Sequence, residues 1–295
     1  MEKVWINGRL FDKDKAKVSV FDRGFLYGDG VFETMRAYSG VIFGLEKHTE
    51  RLHRSLRTIR LKMPYKDREL IRALERILTV NALKDAYVRI TVSRGAQRSG
   101  IAVRAGHKPT VVLVAEALSP YQPKMYERGL SLATVPARNN EYSPIITVKS
   151  LNYLVNILAR MEANERGFDD AILLNTNDFI SEATTANIFL VKRGAIATPS
   201  LKNGVLPGIT RGYVLKIAKR LGIRTLERNI RREELEDAHE AFLTNSLCEI
   251  LPVRRVDNIK IGNGMPGRIT KLLHYSYRAL VRDEVCRSHR TKIHC

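Results

Sequence analysis

The sequence predicts a two-domain α+β protein. Its 295 residues are about twice a typical domain length, and the proline-containing segment Ser119–Pro123 separates two series of periodic elements. Strand-like and helix-like stretches do not alternate strictly, which argues against a doubly wound parallel sheet. We therefore expect an N-terminal α+β domain over residues 1–120, a linker over 121–123 and a C-terminal α/β domain over 124–295.

The composition is that of a globular protein with a substantial apolar core. Apolar residues make up 44% of the chain and charged residues 27%, which is the ordinary globular range. No apolar run reaches the roughly 18 residues that span a bilayer, and residues 1–9 have no secretory pattern. The three cysteines, Cys248, Cys286 and Cys295, are too few and too scattered for a disulfide framework or a zinc site. We expect a cytoplasmic protein without a metal.

The charge balance is strongly basic. Fifty Lys and Arg residues against thirty-one Asp and Glu residues give a net charge of +19. The excess is spread along helix-like stretches, and the sequence has no zinc-finger or RNP signature and no run of five consecutive basic residues. Nucleic-acid binding is therefore not expected, and the surface charge is better suited to attracting small anionic ligands.

In the first half, the period of the apolar residues predicts each element. Asn7-Gly8 between the short runs of Val4–Leu10 is the signal of a β-hairpin. Apolar residues at helical spacing predict helices over His48–Leu61 and Asp67–Asn81. Further strands are predicted over Val18–Phe21, Val31–Tyr38, Val41–Phe43, Ala86–Ser93 and Pro109–Glu116.

In the second half, the same patterns start again after the linker. A helix is predicted over Leu151–Arg166, with an apolar stripe on one face and Gly167 at its end. The members of this stripe are Leu151, Leu154, Leu158 and Met161. Two more helices are predicted, one from Gly208 to Gly222 and one over Met265–Arg282. Strands are predicted over Leu130–Val135, Ile145–Val148, Asp170–Leu174, Ala186–Val191 and Ala241–Thr244.

Two residues next to strand-like runs have side chains suited to cofactor chemistry. Lys149 ends the apolar run Ile145–Val148, and a desolvated amine at such a junction is nucleophilic toward aldehydes. Glu182 precedes the predicted strand Ala186–Val191, where a carboxylate would suit a protonated ring nitrogen. On the residues alone, a solvated strand-end lysine and a solvated turn carboxylate remain the alternatives.

Two further patterns indicate anion binding. Gly208 and Thr210 stand at the predicted start of a helix, where free N–H groups and the helix dipole favour phosphate, although a simple helix start is the alternative. Tyr87 and Arg89 are two positions apart on a strand and so share a face, as a carboxylate site or as a surface ladder. Together, a nucleophilic lysine, a carboxylate and a phosphate cup are what pyridoxal phosphate requires.

Six motifs in the same order resemble those of the class IV, fold-type IV pyridoxal-phosphate enzymes. This family includes branched-chain amino-acid aminotransferases, D-amino-acid aminotransferases and aminodeoxychorismate lyases. The resemblance covers roughly residues 4–255 and implies the D-amino-acid aminotransferase-like fold, with the active site between the domains. The motifs are Tyr27–Glu33, His48–Leu52, Lys149–Tyr153, Glu182–Phe189, Leu206–Arg211 and Asn245–Val253.

The resemblance also implies roles for single residues toward pyridoxal 5′-phosphate. Lys149, in the C-terminal domain, would form the Schiff base and move the proton between the substrate Cα and C4′. Glu182 would pair with the pyridine nitrogen, and Tyr153 would bind the 3′ oxygen. The residues that would hold the phosphate are Arg51, Ile209, Thr210 and Ser246. The residues that would line the substrate site are Tyr27, Phe32, Tyr87, Arg89 and Leu247.

Within the family, Tyr87-Val88-Arg89 and Arg36–Gly40 resemble the branched-chain aminotransferases of amino-acid biosynthesis. This resemblance implies amino transfer from a branched-chain L-amino acid to 2-oxoglutarate, with amino acids and keto acids as the small-molecule partners. It also implies a homodimer or a higher homo-oligomer. We take this activity as the first hypothesis.

Other positions keep two alternatives open. Glu33-Thr34, Ala183–Ala186 and Asn245–Leu247 look more like the aminodeoxychorismate lyases, which convert 4-amino-4-deoxychorismate to 4-aminobenzoate and pyruvate. Arg94 and Arg98 resemble a carboxylate trap of the D-amino-acid aminotransferases, although Gly100 stands where that group places a histidine.

Overall fold

The structure, a computed structural model, describes residues 2–119 and 121–293, so Cys295 lies outside the described residues. The described chain forms two compact units. One unit contains residues 2–119, 148–152 and 283–293, and the other contains residues 121–147 and 153–282. The sequence-based division assigned residues 148–152 to the C-terminal domain. In the structure they belong to the first unit, because Phe32 N–H donates to the Lys149 carbonyl at 2.9 Å and Leu151 N–H donates to the Gly30 carbonyl at 3.0 Å.

The first unit is built on a six-stranded antiparallel sheet. Its strands are β1 (Lys3–Ile6), β2 (Arg9–Asp12), β3 (Gly30–Tyr38), β4 (Val41–Ile42), β5 (Ala86–Ser93) and β6 (Thr110–Ala117). They lie in the order β2-β1-β6-β5-β3-β4. Its helices are α1 (Arg23–Tyr27), α2 (Leu45–Thr58) and α3 (Asp67–Val80), with a 3₁₀ turn over Lys13–Lys15.

The predicted hairpin and both predicted helices of this unit are confirmed. Asn7 and Gly8 both have positive φ, at 47° and 91°, as a two-residue type I′ turn requires. Helices α2 and α3 bury one apolar face each in the same core as the sheet. The helix residues of this core include Leu52, Leu56, Leu70, Leu74 and Ile77.

The strand predicted over Val18–Phe21 is wrong. These residues lie in an irregular segment before α1. Val18, Val20 and Phe21 are 49%, 65% and 54% exposed, so the run has no alternating buried face. A short apolar run alone does not distinguish a strand from an irregular surface segment.

The second unit is built on a nine-stranded mixed sheet. Its strands are β7 (Leu130–Asn139), β8 (Asp170–Asn175), β9 (Ile180–Ala183), β10 (Asn187–Lys192), β11 (Ala195–Pro199), β12 (Thr225–Arg228), β13 (Glu240–Asn245), β14 (Glu249–Val256) and β15 (Ile259–Lys260). Eight lie in the order β12-β11-β10-β13-β14-β7-β8-β9, and β15 pairs with β14. The helices are α4 (Pro123–Arg128), α5 (Leu154–Glu165), α6 (Ile209–Arg220) and the part of α7 (Arg268–Ile293) up to Arg282, with 3₁₀ turns over Leu201–Asn203 and Arg232–Leu235.

Three predicted features of the second half need correction. Residues 145–147, predicted as part of a strand, form turns, and Ile145 is 37% exposed. The last helix, predicted to end at Arg282, continues to Ile293. Of the apolar stripe on the predicted helix Leu151–Arg166, Leu151 lies before α5. The other three members lie on α5 but face outward, because the small residues Ala159 and Ala163 pack on the sheet instead. In the described part of the chain, no helix has an apolar stretch long enough to cross a membrane.

Candidate active site

Lys149 lies beside the start of β3 in the first unit. Its segment pairs with that strand in antiparallel fashion, with Ser150 opposite Val31. The Lys149 amine nitrogen is 4.3 Å from the centre of the Phe32 ring. The predicted catalytic lysine and a predicted substrate-site residue are therefore neighbours.

The segment of Lys149 approaches β3 closely because of a glycine. A Cβ atom built on Gly30 would come within 2.6 Å of the Val92 carbonyl and 2.7 Å of the Leu151 side chain. A side chain at this position would push the lysine segment away from the sheet. Asn152 also holds this segment in place, since its side-chain amide donates a hydrogen bond to the Gly28 carbonyl at 3.1 Å. The position of Lys149 is therefore fixed by backbone packing.

Arg89 reaches the same aromatic ring from β5. Its guanidinium carbon is 3.8 Å from the centre of the Phe32 ring, and its Nε donates to Thr91 Oγ1 at 3.0 Å. Tyr87, Arg89 and Thr91 are half-buried and alternate with fully buried residues, so the predicted common face of Tyr87 and Arg89 is confirmed. The first unit thus brings an amine and a guanidinium onto one aromatic side chain.

Tyr27 ends α1 and is held by the loop that follows β5. Its hydroxyl accepts a hydrogen bond from Gly100 N–H at 2.8 Å, and the Arg23 guanidinium lies 5.0 Å from its ring centre. The hydroxyl is therefore engaged with the loop, and the ring is 40% exposed.

Arg51 forms a buried ion pair that the sequence patterns did not reveal. Its Nε and one terminal nitrogen donate to the two oxygens of Glu33, both at 2.7 Å. His48 Nδ1 lies 2.7 Å from Glu33 Oε2. Burial alone would raise the pKa of Glu33, but the charge of Arg51 and the hydrogen bonds from Arg51 and His48 lower that pKa to about 2. Glu33 is therefore a buried carboxylate ion.

Arg94 is also buried, and its guanidinium is hydrogen-bonded to other groups of the protein. Its Nε donates to Asp29 Oδ2 at 2.8 Å and a terminal nitrogen donates to the Ile59 carbonyl at 2.7 Å. Arg23 donates to the same Asp29 oxygen at 2.8 Å, and Arg98 is exposed. Arg94 therefore braces the turn before β3, which argues against its predicted role in a D-amino-acid carboxylate trap.

In the second unit, Glu182 is oriented by two hydrogen bonds on one oxygen. On β9, its Oε2 accepts from Asn187 Nδ2 at 3.0 Å and from Leu206 N–H at 3.1 Å. Asn187 also donates to the Leu206 carbonyl at 2.9 Å. A Cβ atom on Gly208 would come within 1.9 Å of Asn187 Oδ1, so this position needs glycine. The carboxylate of Glu182 is thus fixed in direction.

The start of α6 has the properties of an anion site. The helix begins at Ile209, and its N-cap residue Gly208 provides no side-chain cap. The hydroxyl oxygen of Thr210 is buried in the first turn of the helix, beside the Tyr277 hydroxyl. The first N–H groups of a helix have no partner within the helix, and together with the dipole they favour a phosphate. This site therefore fits the phosphate of the cofactor that the motifs imply.

Tyr153 is the N-cap residue of α5 and is half-buried. Its carbonyl accepts a hydrogen bond from Ile157 N–H at 3.0 Å, which begins the first turn of the helix.

The turn that contains Ser246 and Leu247 is closed by an asparagine. Asn245 Oδ1 accepts hydrogen bonds from the N–H groups of Leu247 and Cys248 at 2.9 and 2.8 Å. The amide of Leu247, a residue predicted to line the substrate site, is thus bonded within the turn. This bond is a direct consequence of asparagine at position 245.

Glu249 is a second buried carboxylate that the sequence patterns missed. It follows this turn with φ of 60°, although it is not glycine, and it is 1% exposed. On α7, His274 Nε2 lies 2.7 Å and Arg278 Nε 2.8 Å from its Oε2. A non-glycine residue keeps such a backbone conformation only where its surroundings impose it. Helix α7 therefore secures the end of the turn.

Comparison with known proteins identifies the family. The family model for class IV amino-transferases matches residues 30–256. A protein of Methanocaldococcus jannaschii named for branched-chain-amino-acid aminotransferase activity is 41% identical over 94% of this chain and 95% of its own length. The aminodeoxychorismate lyase of Bacillus subtilis is 32% identical over 96% of each chain.

The fold agrees with a solved structure as well. The branched-chain amino acid aminotransferase of Escherichia coli superposes with a TM-score of 0.91 at 32% identity, covering 95% of this chain and 94% of that chain. The predicted fold is thereby confirmed. The chain therefore belongs to the class IV aminotransferase family, whose enzymes are pyridoxal-phosphate-dependent.

Proposed function

We propose that this enzyme transfers the amino group of a branched-chain L-amino acid to 2-oxoglutarate, with pyridoxal phosphate attached to Lys149. The observation that carries the proposal is the cluster of Lys149, Phe32 and Arg89, in which an amine and a guanidinium meet on one aromatic ring. An amino acid with an apolar side chain needs these three kinds of contact near its Cα. The names of the relatives from M. jannaschii and E. coli support the same substrate class.

Each proposed residue has a defined task in this reaction. When bound, pyridoxal phosphate supplies an electron sink that makes the Cα proton of the substrate acidic. The Lys149 amine takes that proton and delivers it to C4′, since one base of suitable reach can serve both atoms. The Glu182 carboxylate, held by Asn187 and Leu206, keeps the ring nitrogen protonated. The Tyr153 hydroxyl binds the 3′ oxygen.

The cofactor phosphate and the substrate carboxylate are assigned to separate sets of hydrogen-bond donors. Arg51, Ser246 and the first turn of α6 at Ile209 and Thr210 hold the cofactor phosphate. Arg89, with Tyr87 on the same face of β5, binds the substrate carboxylate. Phe32 and Tyr27 contact the apolar side chain of the substrate, and Leu247 is assigned to the same substrate site.

One observation favours a second candidate function, that of an aminodeoxychorismate lyase. Asn245 engages the Leu247 amide, so this amide is not offered to a substrate carboxylate in the described conformation. The sequence around that turn resembles the lyases, and the B. subtilis lyase is a relative over the full length of the chain. Both activities would use Lys149 and Glu182, and only the substrate distinguishes them.

A single-turnover experiment tests the function. We expect L-leucine, added without a keto acid, to convert the bound pyridoxal phosphate to pyridoxamine phosphate, as followed by absorption. D-Alanine should give no conversion, because Arg94 is bound to Asp29. If L-leucine leaves the absorption of the bound cofactor unchanged and 4-amino-4-deoxychorismate is converted to 4-aminobenzoate, the lyase activity would replace the proposed one.

We also propose that the enzyme is a homodimer in which a second copy covers the outer face of α5. Five large apolar side chains on this helix are between 46% and 66% exposed, at spacings that place them on one side. They are Leu154, Val155, Ile157, Leu158 and Met161. A contiguous exposed apolar face of this kind marks a protein–protein interface.

Sedimentation velocity tests this interface. We expect the wild-type chain, of 33.5 kDa, to sediment as a dimer or a higher multiple. Leu158→Glu, which places a charge in the apolar face, should shift the population toward monomer. Asn164→Glu makes the same change of charge on an exposed position of α5 and should leave the mass unchanged. A monomeric wild-type protein, or equal behaviour of both variants, would contradict this interface.

A further inference from the structure

We infer that Glu33 and His48 are positioning residues that hold the guanidinium of Arg51 in the direction required by the cofactor phosphate. The inference rests on the proposed role of Arg51 in phosphate binding. Glu33 belongs to β3, and both other residues belong to α2. The three side chains therefore join the strand beside Lys149 to the helix that carries Arg51.

The hydrogen bonds among Glu33, His48 and Arg51 fix the orientation of the Arg51 guanidinium. Arg51 makes two parallel hydrogen bonds to the two Glu33 oxygens, each 2.7 Å long. Such a bidentate pair sets both the plane and the rotation of the guanidinium. His48 stands one turn before Arg51 on α2 and lies 2.7 Å from Glu33 Oε2. The carboxylate is thus held from the helix at a second point.

The surroundings of the trio are apolar. Glu33, His48 and Arg51 are 1%, 2% and 4% exposed, and the same strand and helix contribute Val31, Met35, Leu52 and Leu56 to the core. A buried ion pair is poor at stabilising a fold, because apolar residues of similar volume pack at least as well without the desolvation cost. A fixed direction for Arg51 is therefore the better physical reason for these three polar residues.

The protonation states agree with this role. The Glu33 pKa of about 2 keeps the carboxylate ionised at neutral pH. Burial lowers the pKa of His48 and outweighs the opposing effect of Glu33, and the charges of Arg51 and Lys149 lower this pKa further. The imidazole is therefore neutral, and its Nδ1–H donates to Glu33. The charges of Glu33 and Arg51 offset each other. Arg51 then contributes oriented N–H donors to the phosphate more than net charge.

A double-mutant cycle on cofactor affinity tests the inference. The dissociation constants of pyridoxal phosphate and of pyridoxal, which has no phosphate, are measured for the full-length chain after removal of the cofactor. We expect Glu33→Gln to weaken binding of pyridoxal phosphate by about 10- to 100-fold, as loss of an orienting partner does at other ligand sites. Binding of pyridoxal should change by less than about 2-fold, and in an Arg51→Met background Glu33→Gln should add less than about 2-fold.

Further variants cover the possibility that Glu33→Gln fails to fold, since it removes the negative charge beside a buried guanidinium. His48→Ala removes only one donor and should weaken binding of pyridoxal phosphate by about 3- to 10-fold without an effect on pyridoxal. Ser55→Ala changes another buried polar residue of α2 and should leave both affinities unchanged.

The outcomes separate this inference from the proposed function. Equal weakening of pyridoxal and pyridoxal phosphate by Glu33→Gln or His48→Ala would show a general structural role and overturn the inference. The inference would also be overturned if the losses of affinity caused by Glu33→Gln and Arg51→Met multiplied fully in the double variant. If Arg51→Met weakens binding of pyridoxal phosphate and these variants do not, the inference alone is wrong. An unchanged affinity in Arg51→Met would contradict the proposed role of Arg51 and, with it, the inference.

Discussion

Lys149→Ala should lower the turnover of amino transfer by at least about 1,000-fold, since it removes both the nucleophile and the base of the proposed reaction. The amine of Lys149 lies 4.3 Å from the centre of the Phe32 ring and beside the backbone of β3, so no other part of that segment can take its place. The fold should survive, because the hydrogen bonds that fix the segment come from its backbone and from the side chain of Asn152, and the Lys149 side chain makes none of them. Turnover with L-leucine and 2-oxoglutarate and thermal unfolding are the measurements.

A matched control is Lys192→Ala, which removes an ammonium group from a surface ion pair with Asp237. This variant should keep full turnover, because exposed pairs contribute little to stability. Borohydride reduction of the loaded wild-type enzyme, followed by peptide mass analysis, should find the cofactor on the peptide with Lys149. Substantial turnover in Lys149→Ala, or a label on another lysine, would refute the assignment.

Local sequence patterns predicted the elements that have a clear period or turn signal. The Asn7-Gly8 turn, the strand Ala86–Ser93 and the helix over Asp67–Asn81 are all found within one residue of their predicted bounds. Short apolar runs were less informative. Val18–Phe21 and Ile145–Val148 contain strand-forming residues, but in each case part of the run is exposed, and burial depends on contacts that no local pattern contains.

The apolar stripe on α5 shows a different limit of sequence reasoning. The spacing of Leu154, Leu158 and Met161 correctly indicated one face of a helix. It could not indicate what covers that face, since a core and an interface between subunits require the same apolar periodicity. Ala159 and Ala163, the residues that do pack on the sheet, carry a weak signal because they are small.

The residues of the candidate site also differ in how far the sequence predicts them. Motif order selected Lys149, Arg51 and Glu182, whereas the partners of these residues became visible only in three dimensions. Glu33 lies on the buried face of β3, and an acidic residue on an otherwise apolar strand face was the one available signal of its pairing with Arg51. The bond from Leu247 to Asn245 has no sequence signal beyond the asparagine itself.

Glu182→Gln should lower turnover by about 100- to 1,000-fold while the protein stays folded, because a fixed charge in an active site is worth several powers of ten in rate. Glutamine can still accept the hydrogen bonds from Asn187 and Leu206 N–H through its amide oxygen, which preserves the local geometry. It cannot carry the negative charge that, in the proposed function, keeps the ring nitrogen of the cofactor protonated. The measurements are turnover with L-leucine and 2-oxoglutarate, and the affinity for pyridoxal phosphate.

The comparison between these two measurements is decisive for Glu182. Affinity for pyridoxal phosphate should fall far less than turnover, by about 10-fold or less, since Lys149, Arg51 and the start of α6 would still bind the cofactor. Glu233→Gln, the same change at an exposed position of this unit, should alter neither quantity. Equal losses of affinity and turnover would mean that Glu182 only helps to hold the cofactor. Full turnover would mean that another group protonates the ring, and the assignment of Glu182 would then be wrong.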